Sequence, residues 1–281
     1  MNKSLILEGG GMRGVFTAGV LDLFLDENIE FDKCFSVSAG ACHACSFLSK
    51  QRGRAFSTAV DYLKDKRYCS LYSLITTGDI FGKEFVYYKI PNELYPIDNE
   101  TFLKNKCEFY AVVTNCKTGE AEYIRINDLK KDIEYIRASS SLPLVSRIVK
   151  IGENDYLDGG ISDSIPIKYS VEAGNKKNVV VLTREDGYIK EPNKMQGFIK
   201  LKYKKHPNLA EGIINRHKMY NETLEYIKEA EKRGDIFVIR PPVDLGIKRI
   251  EKDKEKLKAL YDLGYNTAKE SLAGLKEYLK D

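Results

Sequence analysis

The chain has no tryptophan, three histidines and four methionines. It also lacks any long apolar run. A membrane-crossing helix needs about 18 or more consecutive apolar residues, and nothing here approaches that length. At the N-terminus, Leu5-Ile6-Leu7 is cut short by Glu8, so no signal peptide is expected. An excess of one charge is missing too. The 45 basic and 41 acidic residues leave +4, too little to imply a nucleic-acid partner. All six cysteines lie between Cys34 and Cys116. With no export signal they are expected to be reduced thiols in the cytoplasm.

What is present is the composition of a globular protein. Of 281 residues, 43% are hydrophobic and 31% charged, which excludes a disordered chain. A chain this long buries about three quarters of its unfolded surface and needs no disulfide or metal staple. The 18 tyrosines and 12 phenylalanines can fill the core and its edges.

Strand and helix patterns alternate from the start. Leu5 to Leu7 reads as a strand buried on both faces. After a glycine cluster, Val15, Ala18, Val20, Leu21, Phe24 and Leu25 recur at helical spacing. Cys34 to Val37 reads as a second strand and Ala39 to Ser49 as a second helix. Two such units predict a mainly parallel α/β sheet with right-handed crossovers. Further on, Tyr62 to Leu74 reads as helix and Thr76 to Phe81 as loop. Phe109 to Val113 and Tyr123 to Ile126 form a hairpin around Lys117-Thr118-Gly119. Leu129 to Ala138 reads as helix. Ile148 to Ile151 and Tyr156-Leu157 flank a polar turn. Val179 to Leu182 and Ile236 to Ile239 are strands, Leu209 to Arg233 is a helix, and Leu257 to Leu279 is a last amphipathic one. No repeat or linker breaks the chain, so one domain with a helical C-terminal extension is expected.

Three motifs carry chemistry. The first, Gly9-Gly10-Gly11-Met12-Arg13-Gly14, follows a strand and opens a helix. Free N–H groups and the helix dipole make such a turn a site for an anion, permanent or transient, and glycines admit close approach. Gly9, Gly11 and Gly14 also match G-x-G-x-x-G. A dinucleotide site further needs an acid at the end of the second strand. Here Glu30 and Asp32 precede that strand, on the wrong side.

The second motif, Ser36-Val37-Ser38-Ala39-Gly40, lies at a strand-to-helix junction, the setting of a G-x-S-x-G nucleophile elbow. Ser38 takes the nucleophile position, and Ser36 replaces the first glycine. Read alone, Ser38 is equally a helix N-cap. The third motif is Asp158-Gly159-Gly160, by itself an ordinary turn. An active serine needs a base within hydrogen-bond reach. His43 lies on the helix just after Ser38, and His206 and His217 lie in a basic stretch. None has the surroundings of a triad histidine, so a Ser–Asp dyad is the economical arrangement.

In order and spacing these motifs resemble the patatin-like phospholipases, with their G-G-G-x-R-G loop, G-x-S-x-G elbow and downstream D-G-G or D-G-A. Ala138-Ser139-Ser140-Ser141-Leu142-Pro143-Leu144-Val145 and Asp163-Ser164-Ile165-Pro166 match further blocks of the family. The resemblance covers residues 5–171, with 172–281 completing the sheet and adding helices. It implies a three-layer α/β/α sandwich and cleavage of lipid carboxylic esters, phospholipase A or lysophospholipase in type, with neither metal nor organic cofactor. Ser38 would be the nucleophile and Asp158 its base. The loop of Gly9, Gly10 and Gly11 would form the oxyanion hole, chiefly through the N–H groups of Gly10 and Gly11. Gly40 would close the elbow. Two roles stay open for Arg13: steadying the loop, or attracting a head-group phosphate. Ser36 in place of glycine keeps a second reading open, a lipid-binding or regulatory module with little turnover.

Lesser signals have plainer readings. Cys42-His43-Ala44-Cys45 is read as packing and Ser139 to Ser141 as loop or cap. Lys200, Lys202, Lys204, Lys205 and His206, with Phe198 and Tyr203 among them, form a basic cluster. Its default is solvated surface. Its functional reading is peripheral contact with an anionic membrane. Leu74 to Pro96, rich in aromatics, is expected to shape an acyl pocket or a lid.

Overall fold

The computed structural model describes residues 2–280. Its strands are β1 (Lys3–Leu7), β2 (Lys33–Val37), β3 (Glu108–Asn115), β4 (Ala121–Ile126), β5 (Val149–Ile151), β6 (Asn154–Asp158), β7 (Lys177–Val181) and β8 (Ile236–Ile239). The α-helices are α1 (Val15–Asp26), α2 (Ala39–Leu48), α3 (Arg54–Val60), α4 (Leu71–Thr77), α5 (Asn99–Lys104), α6 (Ile133–Ser139), α7 (Ile167–Glu172), α8 (Gln196–Lys202), α9 (Pro207–Lys232), α10 (Lys254–Glu270) and α11 (Leu272–Tyr278). A π-helix spans Glu84–Leu94.

The eight strands form one sheet in the order β5-β6-β3-β2-β1-β7-β8, with β4 also on β3. β3, β2, β1, β7 and β8 run parallel, whereas β4, β5 and β6 join antiparallel. Alternate residues of the central strands serve opposite layers, as the two-residue period requires. Leu5, Leu7, Cys34, Ala111, Val179 and Val181 pack into the core shared with α1 and α2. Ile6, Phe35 and Val180 pack under α7 and α9. The result is the three-layer α/β/α sandwich that the resemblance implies, built on the mainly parallel sheet expected from the alternating patterns. The C-terminal part is built into it. β7 and β8 extend the sheet, and α10 crosses α1 where Gly264 faces the Phe16 carbonyl and Gly19 the Tyr261 carbonyl. A Cβ at either glycine would come within 2.1 Å of that oxygen, so only glycine permits this crossing.

Four expected elements differ. Tyr62 to Leu74 is not one helix. Turns follow α3, and Ser70 starts a new helix by accepting the N–H of Ser73 at 3.0 Å. That helix runs to Thr77 and ends at left-handed Gly78, inside the stretch read as loop. The helix expected from Leu129 begins at Ile133, because Asp128 accepts the N–H groups of Lys130 and Lys131 in a turn. The last helix breaks at Ser271 into α10 and α11.

Candidate active site

The site is assembled by strand register. β2 ends with Val37 opposite Val112 of β3. β4 occupies the other edge of β3 from Phe109 to Thr114. β6 pairs Asp158 with Val113, so it must continue along the edge that β2 has just left. Ser38 leaves the sheet at the place where Asp158 arrives from the opposite direction. The Ser38 hydroxyl donates to Asp158 Oδ2 at 3.0 Å. Both residues are buried, with relative exposures of 6% and 4%.

The elbow is strained and braced. Ser38 has φ 54° and ψ −121°, a conformation rare for a residue with a Cβ. Its N–H donates to Ser139 Oγ at 2.9 Å. Asp158 is held likewise: its N–H donates to the Ser141 carbonyl at 2.9 Å, and its Oδ1 accepts the Gly160 N–H at 2.7 Å. The serines read as a loop or cap thus brace both members of the pair. Gly40 lets α2 start against β1, since a Cβ there would lie 2.9 Å from the carbonyls of Leu7 and Glu8. Ser36 fits inside β2 and donates weakly to the Tyr110 carbonyl at 3.4 Å, so the missing glycine leaves the turn intact.

The glycine loop passes beside Ser38. The Gly9 N–H donates to the Ser164 carbonyl at 3.4 Å. The N–H groups of Gly10 and Gly11 have no partner among the described residues. Gly11 has φ +59°, and a Cβ there would lie 2.5 Å from the Arg249 carbonyl, which itself accepts the Met12 N–H at 3.0 Å. A mostly apolar cavity of about 200 Å3 opens at Ser38 and Gly11. Val15, Ala59, Val86, Ile90, Ile136 and Leu142 line it. The π-helix supplies one wall, within the stretch expected to shape an acyl pocket.

Residues 5–171 match the family model described as patatin-like phospholipase. The chain belongs to the patatin-like phospholipase family. Residues 206–280 match a second model, a domain of unknown function (DUF6363). The chain is 27% identical to the uncharacterized protein YjjU of Escherichia coli K12 over 251 residues, 86% of this chain and 69% of that one. It is 23% identical to the probable lipid hydrolase 463L of Invertebrate iridescent virus 6 over 193 residues, 63% and 66% of the two chains. The fold matches that of VipD from Legionella pneumophila with a TM-score of 0.51 at 12% identity, over 97% of this chain and 67% of that one.

Electrostatics around the pair follow from burial. Burial pushes the Asp158 carboxyl above its usual range, against the pull of Arg216, the Gly160 N–H and the Ser38 hydroxyl. Burial lowers His43 to about 4, and the imidazole packs beside Gly14. His43 is therefore neutral at pH 7, and among the described residues the Ser38 hydroxyl bonds to Asp158 and not to it. Arg13 makes no side-chain hydrogen bond among the described residues, and its buried Nε has no partner. Its guanidinium pKa is lowered by burial and then by Arg184.

Glu8, read from sequence only as the end of a strand, ties the loop to α9 and to the segment after β7. It accepts the Tyr220 hydroxyl and the Thr183 N–H, each at 2.6 Å. Asp32, the wrong-sided acid of the dinucleotide pattern, accepts the Lys3 N–H at the opposite end of β1. Cys42 and Cys45 are free thiols. Among the described residues no group of His, Cys, Asp or Glu has a metal-ligand arrangement. On α8, Phe198 and Leu201 stand exposed beside Lys200, Lys204 and Lys205. Tyr203 departs from that cluster: it is buried and accepts the Leu144 N–H. No helix of the described residues is long and apolar enough to cross a membrane.

Proposed function

We propose that this protein hydrolyses carboxylic esters of lipids, as a phospholipase A or lysophospholipase, by a Ser38–Asp158 dyad. The observation that carries the reading is the 3.0 Å Ser38 Oγ–Asp158 Oδ2 hydrogen bond on a strained elbow at the mouth of an apolar cavity. The acyl chain enters the cavity and sets its carbonyl over Ser38. Asp158 takes the hydroxyl proton as Ser38 attacks. Its raised pKa makes it a better base than an exposed aspartate. Negative charge then develops on the carbonyl oxygen, where the unpartnered N–H groups of Gly10 and Gly11 receive it. One such donor is worth about 3 kcal/mol of barrier. The proton passes to the leaving alcohol, and water reverses the sequence to free the acid.

The probable lipid hydrolase among the relatives supports lipid esters as the substrate class. Exposed Phe198 and Leu201 beside lysines on α8 support peripheral docking at an anionic membrane, each lysine adding about 1 kcal/mol near such a surface.

The test is release of fatty acid from lysophospholipid by the wild type and Asp158→Asn. We expect the substitution to lower kcat by a factor on the order of 10^4. A variant as fast as the wild type would remove Asp158 as the base.

A further inference from the structure

The mechanism above leaves a set of cations unused. Arg13 follows the glycine loop, Arg184 and Lys190 follow β7, Arg216 projects from α9, and Arg249 comes from the segment before α10. They lie close enough for their charges to act on one another. Arg13 is influenced by Arg184 and Arg249, Lys190 by Arg216, Arg249 and Arg13, and Arg249 by Arg216 and Arg184. All five are partly withdrawn from solvent.

Their acidic company is sparse. Among the described residues, Arg13, Lys190, Arg216 and Arg249 form no ion pair, and Arg184 reaches only the half-exposed Asp244 at 3.8 Å. Two buried carboxylates neighbour the group: Glu8, both of whose oxygens are already occupied, and Asp158, whose charge is felt by Arg216 and Arg249. Aromatic faces hold two of the cations in place. The Arg184 guanidinium lies 4.2 Å from the centre of the Tyr188 ring, and Lys190 Nζ 4.8 Å from that of Tyr220.

Unsatisfied polar atoms converge on the same place. Arg13 Nε, Arg184 Nε and Thr183 Oγ1 are buried without a partner. A Cβ on Gly10 would lie 2.7 Å from that Thr183 oxygen, so the vacant donors border the oxyanion loop. Buried donors left unpaired are costly unless a ligand meets them. The cluster also reaches the turn that follows Asp158, since Arg216 donates to the Gly160 carbonyl and to Ser164 Oγ. None of the five cations lines the apolar cavity, yet Gly11 borders both: it lines the cavity and abuts Arg249. An ester centred on Ser38 thus has an apolar cavity for its acyl end and, across Gly11, a cluster of cations on the side left for its alcohol end.

We propose that Arg13, Arg184, Lys190, Arg216 and Arg249 form a recognition site for a phosphate monoester on the alcohol side of the scissile ester. The preferred substrate is then an acyl ester bearing a terminal, doubly charged phosphate, not a zwitterionic or neutral lipid. This rests on the hydrolase reading and adds the head group to it. A phosphate monoester carries between about −1.5 and −2 charges at pH 7 and three strong acceptor oxygens, which suits several cations and vacant N–H donors. A choline diester would bring its own cation against this positive cluster. Burial lowers Lys190 to about 7, so a bound dianion would restore its charge. The inference also gives the segment matched to a domain of unknown function a role, since Arg216 and Arg249 belong to it.

The full chain is tested on three substrates with one oleoyl chain: 1-oleoylglycerol 3-phosphate, 1-oleoylglycerophosphocholine and 1-oleoylglycerol. Calorimetry with sn-glycerol 3-phosphate and with inorganic phosphate accompanies them. Wild type is expected to favour the phosphate monoester by about tenfold or more in kcat/KM. Arg184→Gln with Lys190→Gln should bring that preference to within about threefold and abolish glycerol 3-phosphate binding. Neither side chain hydrogen-bonds the dyad or the glycine loop. Lys190→Arg, which keeps the charge, should keep the preference and serves if the double variant fails to fold. Equal turnover of all three esters without glycerol 3-phosphate binding would overturn the head-group site and leave the hydrolase intact. Phosphate binding without a substrate preference would also overturn it, assigning the cluster to a free ion. No turnover of any ester, with Ser38 unreactive, would remove both readings.

Discussion

Ser139 Oγ accepts the backbone N–H of Ser38 at 2.9 Å, and the two residues stand 101 positions apart in the chain. This bond joins the end of α6 to the elbow at its most strained residue. Ser141 extends the tie by accepting the Asp158 N–H. The geometry of the dyad is therefore held from a third element as well as from the two strands that carry it.

Ser139→Ala removes the acceptor and leaves a buried N–H unpaired, at a cost of about 1–3 kcal/mol. A lower melting temperature and a kcat lower by on the order of tenfold or more are expected. Thermal unfolding and ester hydrolysis check both. Unchanged values would show that the elbow holds itself.

Gly11→Ala should damage catalysis more than folding. The position has φ +59°, and the new Cβ would meet the Arg249 carbonyl at 2.5 Å, so the loop must shift and misplace its donors. A kcat loss of about 10^2–10^3 is expected. Gly53→Ala is the control for backbone strain alone, with φ +76° and open space around it.

Much of this site was legible in the sequence because its elements are local. A buried apolar strand, a small-residue turn and a helix recur in Leu5 to Leu25 and again in Cys34 to Ser49, and each unit reads without its neighbours. The meeting of Ser38 with Asp158 came from the order of the motifs, whereas its cause, the shared edge of β3, is a matter of register. Less was legible where side chains act across the fold. Arg184, Lys190, Arg216 and Arg249 are separate charges in the sequence and neighbours only once β7, α9 and the segment before α10 are in place. The apolar pattern of Tyr62 to Leu74 misled for the opposite reason: Leu71 and Tyr72 are exposed at 71% and 47%, so the apolar residues there do not report one buried face.

Ser36→Gly should be close to neutral for activity. Ser36 lies buried within β2, and its one side-chain hydrogen bond among the described residues is the weak one to the Tyr110 carbonyl. Restoring glycine should cost about 1 kcal/mol through backbone entropy and leave kcat within about twofold. A large gain in rate would mean that the serine restrains the enzyme.

Asp158→Asn should stabilise the protein at neutral pH while disabling it. Burial raises the Asp158 pKa in the folded state. Between the ordinary aspartate pKa and the raised one, the folded chain holds the extra proton. Stability attributable to this residue is full below that window and falls as pH rises through it. The asparagine variant lacks this fall. Melting temperatures from pH 4 to pH 8 are expected to diverge upward in favour of the variant. Parallel curves would contradict the raised pKa.

The central claim is that Ser38 is an activated nucleophile. Intact-protein mass after treatment with a fluorophosphonate, for wild type and Ser38→Ala, measures this directly. The account predicts one covalent adduct on the wild type and none on the variant. A wild type that stays unmodified with lipid vesicles present, or a variant that is labelled equally, would contradict it.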